Sequence, residues 1–194
     1  MVTWLHEAPQ TDAEAASALA DAATRGQPIR ILGSGTKLGW GRPVDSGAIE
    51  VHTSALDAIL AHNAGDLTAS LQAGVPLAAA QRAFAGAGQR LALDPPLCGH
   101  PGATIGGIVA TGDSGPLRHR YGAPRDLVLG ATVALSDGTI ARSGGTVIKN
   151  VAGYDLAKLF AGSFGTLGLI LSVNVRLHPL PDAGATALGA SDDP

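Results

Sequence analysis

The chain has little of several things that would narrow its function. Its 194 residues include one cysteine, one methionine, two tryptophans, two tyrosines and three phenylalanines. The single thiol, Cys98, makes no internal disulfide and holds no iron–sulfur centre by itself, so any such cluster sits on a partner. Sparse aromatics leave few rings for stacking bases, and a formal net charge of -3 argues against a general nucleic-acid binder. No apolar run reaches the roughly 18 residues of a membrane span. The N-terminal "MVTWLHEAPQTDAEAASALADAAT" lacks a basic start and has acids where a secretion signal is apolar. It reads as a soluble, cytoplasmic chain without a transmembrane segment. His6, His52, His62, His100, His119 and His178 are scattered without metal-ligand spacing and read as surface or capping residues, so no metal site is expected.

What the chain has in quantity is glycine, 27 residues of it, and alanine. A chain of this length forms one domain and buries a proper core, here packed from small side chains. The first glycine cluster lies in "PIRILGSGTKLGWGRP", residues 28–43. A dinucleotide-binding G-x-G-x-x-G loop fits Gly33 and Gly35, but its third glycine position falls on Leu38, and the glycines and Pro43 that follow cannot propagate a helix. A P-loop needs G-K-[ST], and Lys37 is followed by Leu38. There remains a strand leading into an extended loop whose successive amides and hydroxyls, from Gly33, Ser34, Gly35 and Thr36, suit a diphosphate without a helix. A tight glycine turn with no ligand is the competing reading.

Along the chain, Thr11 and Glu14 at capping-box spacing start an alanine-rich helix that runs to about residue 24. "IRIL", "AIEV" (48–51) and "LTASLQA" (67–73) read as strands. "PLAAAQRAFAGAG" reads as a helix from Pro76 to Gly86 or Gly88, and "RLAL" as a further strand. "DLVLGATVALSDGTIARSG" is two β runs joined across Asp137-Gly138, a strong hairpin signal. "AGYDLAKLFAG" reads as a short helix ending at Gly162, "GLILSVNVRLHP" as a last strand halted by Pro179, and residues 182–194 as a flexible tail. The fold class is α+β.

A second glycine- and proline-rich stretch, "DPPLCGHPGATIGGIVATGDSGPLRHRYG" (94–122), suggests backbone running close to a flat ligand. For its apolar "TIGGIVATG" part, close helix packing explains the small residues equally well. A third, "NVAGYDLAKLFAGSFGTLGLIL" (150–171), sets a glycine turn before a hydrophobic strand. With the three loops in this order, residues 28–181 resemble the FAD-binding domain of the vanillyl-alcohol oxidase and p-cresol methylhydroxylase type. "SGPLRHRYGAPRDLVLG" and "KNVAGYDLAKLFAGSFGTLG" are most similar to the FAD-binding E subunits of bacterial glycolate oxidases.

The resemblance implies that FAD is the cofactor and that Gly33, Ser34, Gly35, Thr36 and Lys37 hold its pyrophosphate. It implies that Pro95, Gly99, Gly102, Ala103, Thr104, Gly106, Gly107, Thr111 and Gly115 run along the pyrophosphate, ribityl chain and flavin, with Gly165 and Ile170 at the adenine side. Many relatives have asparagine where this chain has Ile108 and Gly112, and an acid or amide where it has Phe164. Some relatives attach FAD covalently through a first-loop histidine or a cysteine near the position of Ala103. This chain has neither in register, so non-covalent FAD is expected. The family's substrate-covering domain would begin where this sequence ends, and no catalytic constellation replaces it, so the catalytic residues are unassigned. Arg118, Arg120 and Arg125 read first as a solvated basic loop and second as a site for a substrate carboxylate or an acidic partner. Two functions follow: a flavin subunit oxidising a 2-hydroxy acid such as glycolate together with partner redox subunits, or a noncatalytic FAD-binding or assembly module.

Overall fold

The computed structural model describes residues 5–41, 47–97, 102–146 and 155–185. The chain begins with β1 (Leu5–Glu7) and α1 (Asp12–Thr24). Thr11 caps α1 by accepting the Glu14 amide at 3.1 Å, and Glu14 reaches back to the amide of Gln10 at 2.8 Å, one residue before the reciprocal partner of a standard capping box. β2 (Ile29–Leu32) and β3 (Ile49–His52) follow, and β3 lies between β1 and β2 in a small parallel sheet. Ala15, Leu19 and Ala22 of α1 pack against Ile49 and Val51 of this sheet. The same cluster includes Ala134, Leu169 and Leu171.

β4 (Ile59–Asn63), β5 (Thr68–Gln72), α2 (Leu77–Ala85) and β6 (Gln89–Arg90) come next, then α3 (Ile105–Thr111), α4 (Arg118–Tyr121) and α5 (Pro124–Leu127). β7 (Val128–Ala134) and β8 (Ile140–Gly144) form the expected hairpin. β9 (Leu169–Arg176) and β10 (His178–Pro179) end the described chain. The second sheet is antiparallel, in the order β4-β5-β9-β7-β8. Its core joins Leu71, Val173 and Val175 to Phe84 of α2 and Ile105 of α3. Ile170, Leu171 and Leu169 are buried in succession because β9 is central and covered on both faces.

Several sequence expectations are corrected. β1 and β4 were not foreseen: β1 is short, and β4 is a mostly exposed edge strand with a bulge, lacking an alternating apolar face. "RLAL" forms a strand only at its start. Leu91, Ala92 and Leu93 are buried without a ladder, because Gln81 of α2 does a neighbouring strand's work: its amide group donates to the Leu91 carbonyl at 2.6 Å, and its carbonyl accepts the Leu91 amide at 3.1 Å. The expected helix before Gly162 is a single 3-10 turn (Leu156–Leu159), and the part of that stretch at 152–154 lies outside the described residues. The last strand breaks at Leu177, whose amide turns to the Leu67 carbonyl at 2.7 Å, and β10 then pairs with β6.

"TIGGIVA", open between loop and packed helix, is a helix. Thr104 caps α3, and Ile105, Ile108 and Val109 are buried; each such side chain stabilises the fold by about 1.5–3 kcal/mol. Gly106 lies where α3 meets the end of β5. A β-carbon there would stand 2.6 Å from Ala73 Cβ and 2.9 Å from its carbonyl oxygen. Gly106→Ala is therefore expected to cost about 1–3 kcal/mol through backbone displacement. Gly86→Ala, at the α2 C-cap in ordinary right-handed backbone with only a loose contact at 3.6 Å, should be neutral or slightly stabilising. Urea denaturation of both variants checks this, and an unchanged midpoint for Gly106→Ala would contradict it.

Candidate functional site

β2 carries the chain to Gly33, and its end is fixed by Thr53, which gives both its amide (2.8 Å) and its hydroxyl (3.3 Å) to the Leu32 carbonyl. The loop then turns on itself, with the Leu38 amide on Gly35 O at 3.4 Å and the Trp40 amide on Lys37 O at 2.9 Å. Gly35 has φ +70°, a conformation that disfavours side chains. Among the described residues, the amides of Ser34, Gly35, Thr36 and Lys37 meet no backbone acceptor.

Lys37 does not reach out as a free cation. Its ammonium lies 2.9 Å from Asp113 Oδ2, donates to Pro96 O at 3.1 Å and stands 4.8 Å from the Trp40 ring centre. Asp113 is buried, and its Oδ2 is held by charge without an aligned hydrogen bond. This pair ties the first loop to the residue just beyond α3. Sequence reasoning had no signal for Asp113, a lone acid in a glycine-rich run.

Backbone stitching seats the second loop against the first. The Leu77 amide bonds Ala103 O at 2.9 Å, the Ile105 amide bonds Val75 O at 2.9 Å, and the Gly106 amide bonds Ala73 O at 2.8 Å. Ser34 Oγ donates to Gly102 O, and Gly33 packs so closely on Thr104 that a β-carbon would overlap its hydroxyl. A third segment closes the far side: the Gly162 and Phe164 amides bond Val109 O (3.0 Å) and Ala110 O (2.8 Å), the carbonyls near the end of α3. Phe164 is half-exposed at φ +53°, unusual for a non-glycine residue.

Between these three segments lies a cleft of about 660 Å³, within the range of small-molecule sites. Gly33, Ser34, Gly35, Thr36 and Lys37 line it from the first loop. Ala103, Thr104, Gly106, Gly107 and Thr111 line it from the second, and Gly165 and Ile170 from the third. Gly102 stands just behind, through its carbonyl's bond to Ser34. Pro95 and Gly115 are not among the lining residues. Gly115 gives its amide to Asp94 Oδ1 at 3.1 Å, and a β-carbon there would overlap the Asp94 carbonyl, so its smallness serves that contact. Gly99 and Cys98 lie outside the described residues. Arg30, Thr53 and Trp40 line the cleft without having been singled out.

Among the described residues, the charged side chains of the lining are Arg30 and Lys37, and the lining includes no histidine and no carboxylate. Arg118, Arg120 and Arg125 are away from it: Arg118 contacts Ser114 Oγ at 3.3 Å, and Arg120 stands 5.4 Å from the Tyr121 ring centre. No helix among the described residues is long and apolar enough to cross a membrane.

The arrangement can be set beside known proteins. The family described as FAD binding domain matches residues 7–144. Glycolate oxidase subunit GlcE of Escherichia coli is 39% identical over 80% of this chain, which spans 44% of that protein. Glycolate oxidase subunit GlcD of Bacillus subtilis is 38% identical over 83% of the chain and 34% of its own length. A D-lactate dehydrogenase of Archaeoglobus fulgidus is 34% identical over 88% of the chain and 38% of its own length. The chain therefore spans less than half of each of these relatives. Among solved structures, an alkyldihydroxyacetonephosphate synthase superposes with a TM-score of 0.76 at 23% identity, over 92% of this chain and 32% of that one, a likeness of fold. With the family matched across most of its length and the glycine-lined cleft in place, the chain belongs to the FAD-binding domain family of the vanillyl-alcohol oxidase and p-cresol methylhydroxylase type.

Proposed function

We propose that this chain holds FAD in the cleft without a covalent bond, and that it serves as the flavin-binding part of an oxidoreductase acting on a 2-hydroxy acid such as glycolate or D-lactate, in complex with partner redox subunits. The observation that carries the reading is the run of amides at 34–37 that meet no backbone acceptor among the described residues, along a cleft walled by small residues. A diphosphate needs many short donors and little bulk, and this loop supplies both without a helix. Ala103, Thr104, Gly106, Gly107 and Thr111 leave room for the rest of the cofactor, with Gly102 behind them, and Gly165 and Ile170 offer backbone on the adenine side. Lys37, held by Asp113, sets a fixed ammonium beside the proposed diphosphate position, its charge largely balanced by the carboxylate. Names among the relatives, glycolate oxidase subunits and D-lactate dehydrogenases, support the substrate class.

Bound flavin supplies the hydride acceptor; the residues here bind and orient it. Oxidising a hydroxyl also requires a group to take its proton, and the described lining offers neither histidine nor carboxylate. That group therefore comes from another segment or subunit. The purified 194-residue chain should show little oxidation of glycolate or D-lactate with an artificial electron acceptor, and gain it with its partner subunits. Steady-state turnover by the single chain would overturn the partner requirement, and a correctly folded chain that never takes up flavin would overturn the proposal.

Affinity should separate FAD from FMN by at least about tenfold, because the diphosphate and adenine contacts exist only in FAD. Gly35→Val forces a β-branched residue into left-handed backbone, which costs about 1–2 kcal/mol, roughly tenfold in affinity. The variant should bind FAD at least about tenfold more weakly while its circular dichroism spectrum is unchanged. Fluorescence titration with both flavins checks this, and equal FAD affinity in the variant counts against the first loop. Acid precipitation should release all flavin into the supernatant. Flavin retained on a peptide containing Cys98 would contradict non-covalent binding.

A further inference from the structure

Outside the cleft, the parallel register of the small sheet sets Glu50 between His6 on β1 and Arg30 on β2, and His52 lies two residues beyond Glu50 on the same face of β3. The opposite face, with Ile49 and Val51, is buried against α1. Glu50 is itself buried, at 5% exposure, and Arg30 takes its Oε1. Its other oxygen faces two imidazoles. Glu50 Oε2 lies 2.9 Å from His6 Nδ1 and 3.3 Å from His52 Nε2, and the two nitrogens are 3.4 Å apart.

Each imidazole nitrogen is either an N–H donor or a lone-pair acceptor, and no one assignment of protons gives all three pairs a good hydrogen bond. Two N–H groups aimed at Oε2 would approach it at an acute angle with their hydrogens crowded together. One N–H aimed between the nitrogens would leave a nitrogen lone pair against the carboxylate oxygen. A single cation above the triangle satisfies all three contacts at once. Two of the three separations, 3.3 and 3.4 Å, match a tetrahedral zinc site, whose donor atoms stand about 3.3–3.4 Å apart at metal–ligand distances of about 2.0–2.1 Å, and the 2.9 Å between His6 Nδ1 and Glu50 Oε2 must open by a few tenths of an ångström to admit the ion.

We infer that His6, Glu50 and His52 form a tetrahedral site for a divalent transition metal of the zinc class, with two imidazole nitrogens, one carboxylate oxygen and water at the fourth position. The donor set of nitrogen and oxygen is that of zinc, not of calcium or magnesium. Arg30 fixes the carboxylate's orientation through its other oxygen, as supporting partners of metal ligands do. His6, with a side chain 60% exposed, leaves the outer corner open to solvent. Such a site would clamp β1 to β3. His6 and His52, 46 residues apart, offered no spacing to read; only the sheet register brings them together.

The test uses the tag-free 194-residue chain, stripped with a chelator and titrated with Co²⁺ as a spectroscopic probe. One equivalent should bind with the intense visible bands of tetrahedral cobalt, Zn²⁺ should displace it, and Zn²⁺ should raise the melting temperature. His6→Ala, at an exposed position, should melt like the wild type in chelator yet bind Co²⁺ at least about 100-fold more weakly, beyond the roughly 10–100-fold typical of losing a supporting partner. His52→Ala should do the same. Weak octahedral bands, no stoichiometric binding, or unchanged affinity in both variants would overturn the site. FAD content is measured alongside, and its loss or retention does not bear on the result.

Discussion

The site depends on one close approach, the contact of α3 with the end of β5 at Gly106. The hydrogen bonds that run from Leu77 to Ala103, Ile105 to Val75 and Gly106 to Ala73 fix the backbone of the second loop to the segment that joins β5 to α2. Because the contact is between backbones, it leaves no side-chain slack. Once α3 is fixed, Thr104 at its cap meets Gly33, the carbonyls at its end receive the amides of Gly162 and Phe164, and Asp113 beyond it meets Lys37. All three walls of the cleft are thus referred to one short helix.

The electrostatics follow from how little charge the chain has. With charged residues at 15% and a lining in which, among the described residues, only Arg30 and Lys37 are charged, the cleft is not a basic patch that draws phosphates from a distance. Lys37 is pinned by a buried carboxylate, and Arg30 by Glu50. Cations held in ion pairs keep their geometry at the expense of reach, so they shape the local field while the loop's amides remain the groups able to approach an anion directly.

Where the sequence was legible, the signal was local. Thr11 and Glu14 mark the start of α1, Asp137-Gly138 marks the hairpin, and the ordered glycine loops mark the cleft, because each depends on chemistry within a few residues. What escaped depends on partners far along the chain. The irregular path of Leu91 to Leu93 is set by Gln81, the switch of β10 to another sheet by Leu67, and the ends of β1 and β3 by each other. Asp94 and Asp113 look alike in sequence. One organises the amides of Gly115 and Leu117 and the other neutralises Lys37.

The glycines sharpen this distinction, since a glycine motif carries two messages in one letter. Gly106 and Gly115 are small because protein backbone already occupies the space a β-carbon would need. They would be required whether or not a cofactor ever entered. Gly33 is small because Thr104 stands against it, which brings the two loops together but again involves only protein. Gly35 is different: its nearest neighbours are the flexible side chain of Leu38 and that of Leu32, and what demands glycine there is a positive φ in a run of amides with no backbone acceptor. Among the described residues that run of donors meets no backbone acceptor and lies along the cleft. Gly106 and Gly115 of the second loop therefore speak for the fold, while Gly35 answers to a backbone conformation on the wall of the cleft.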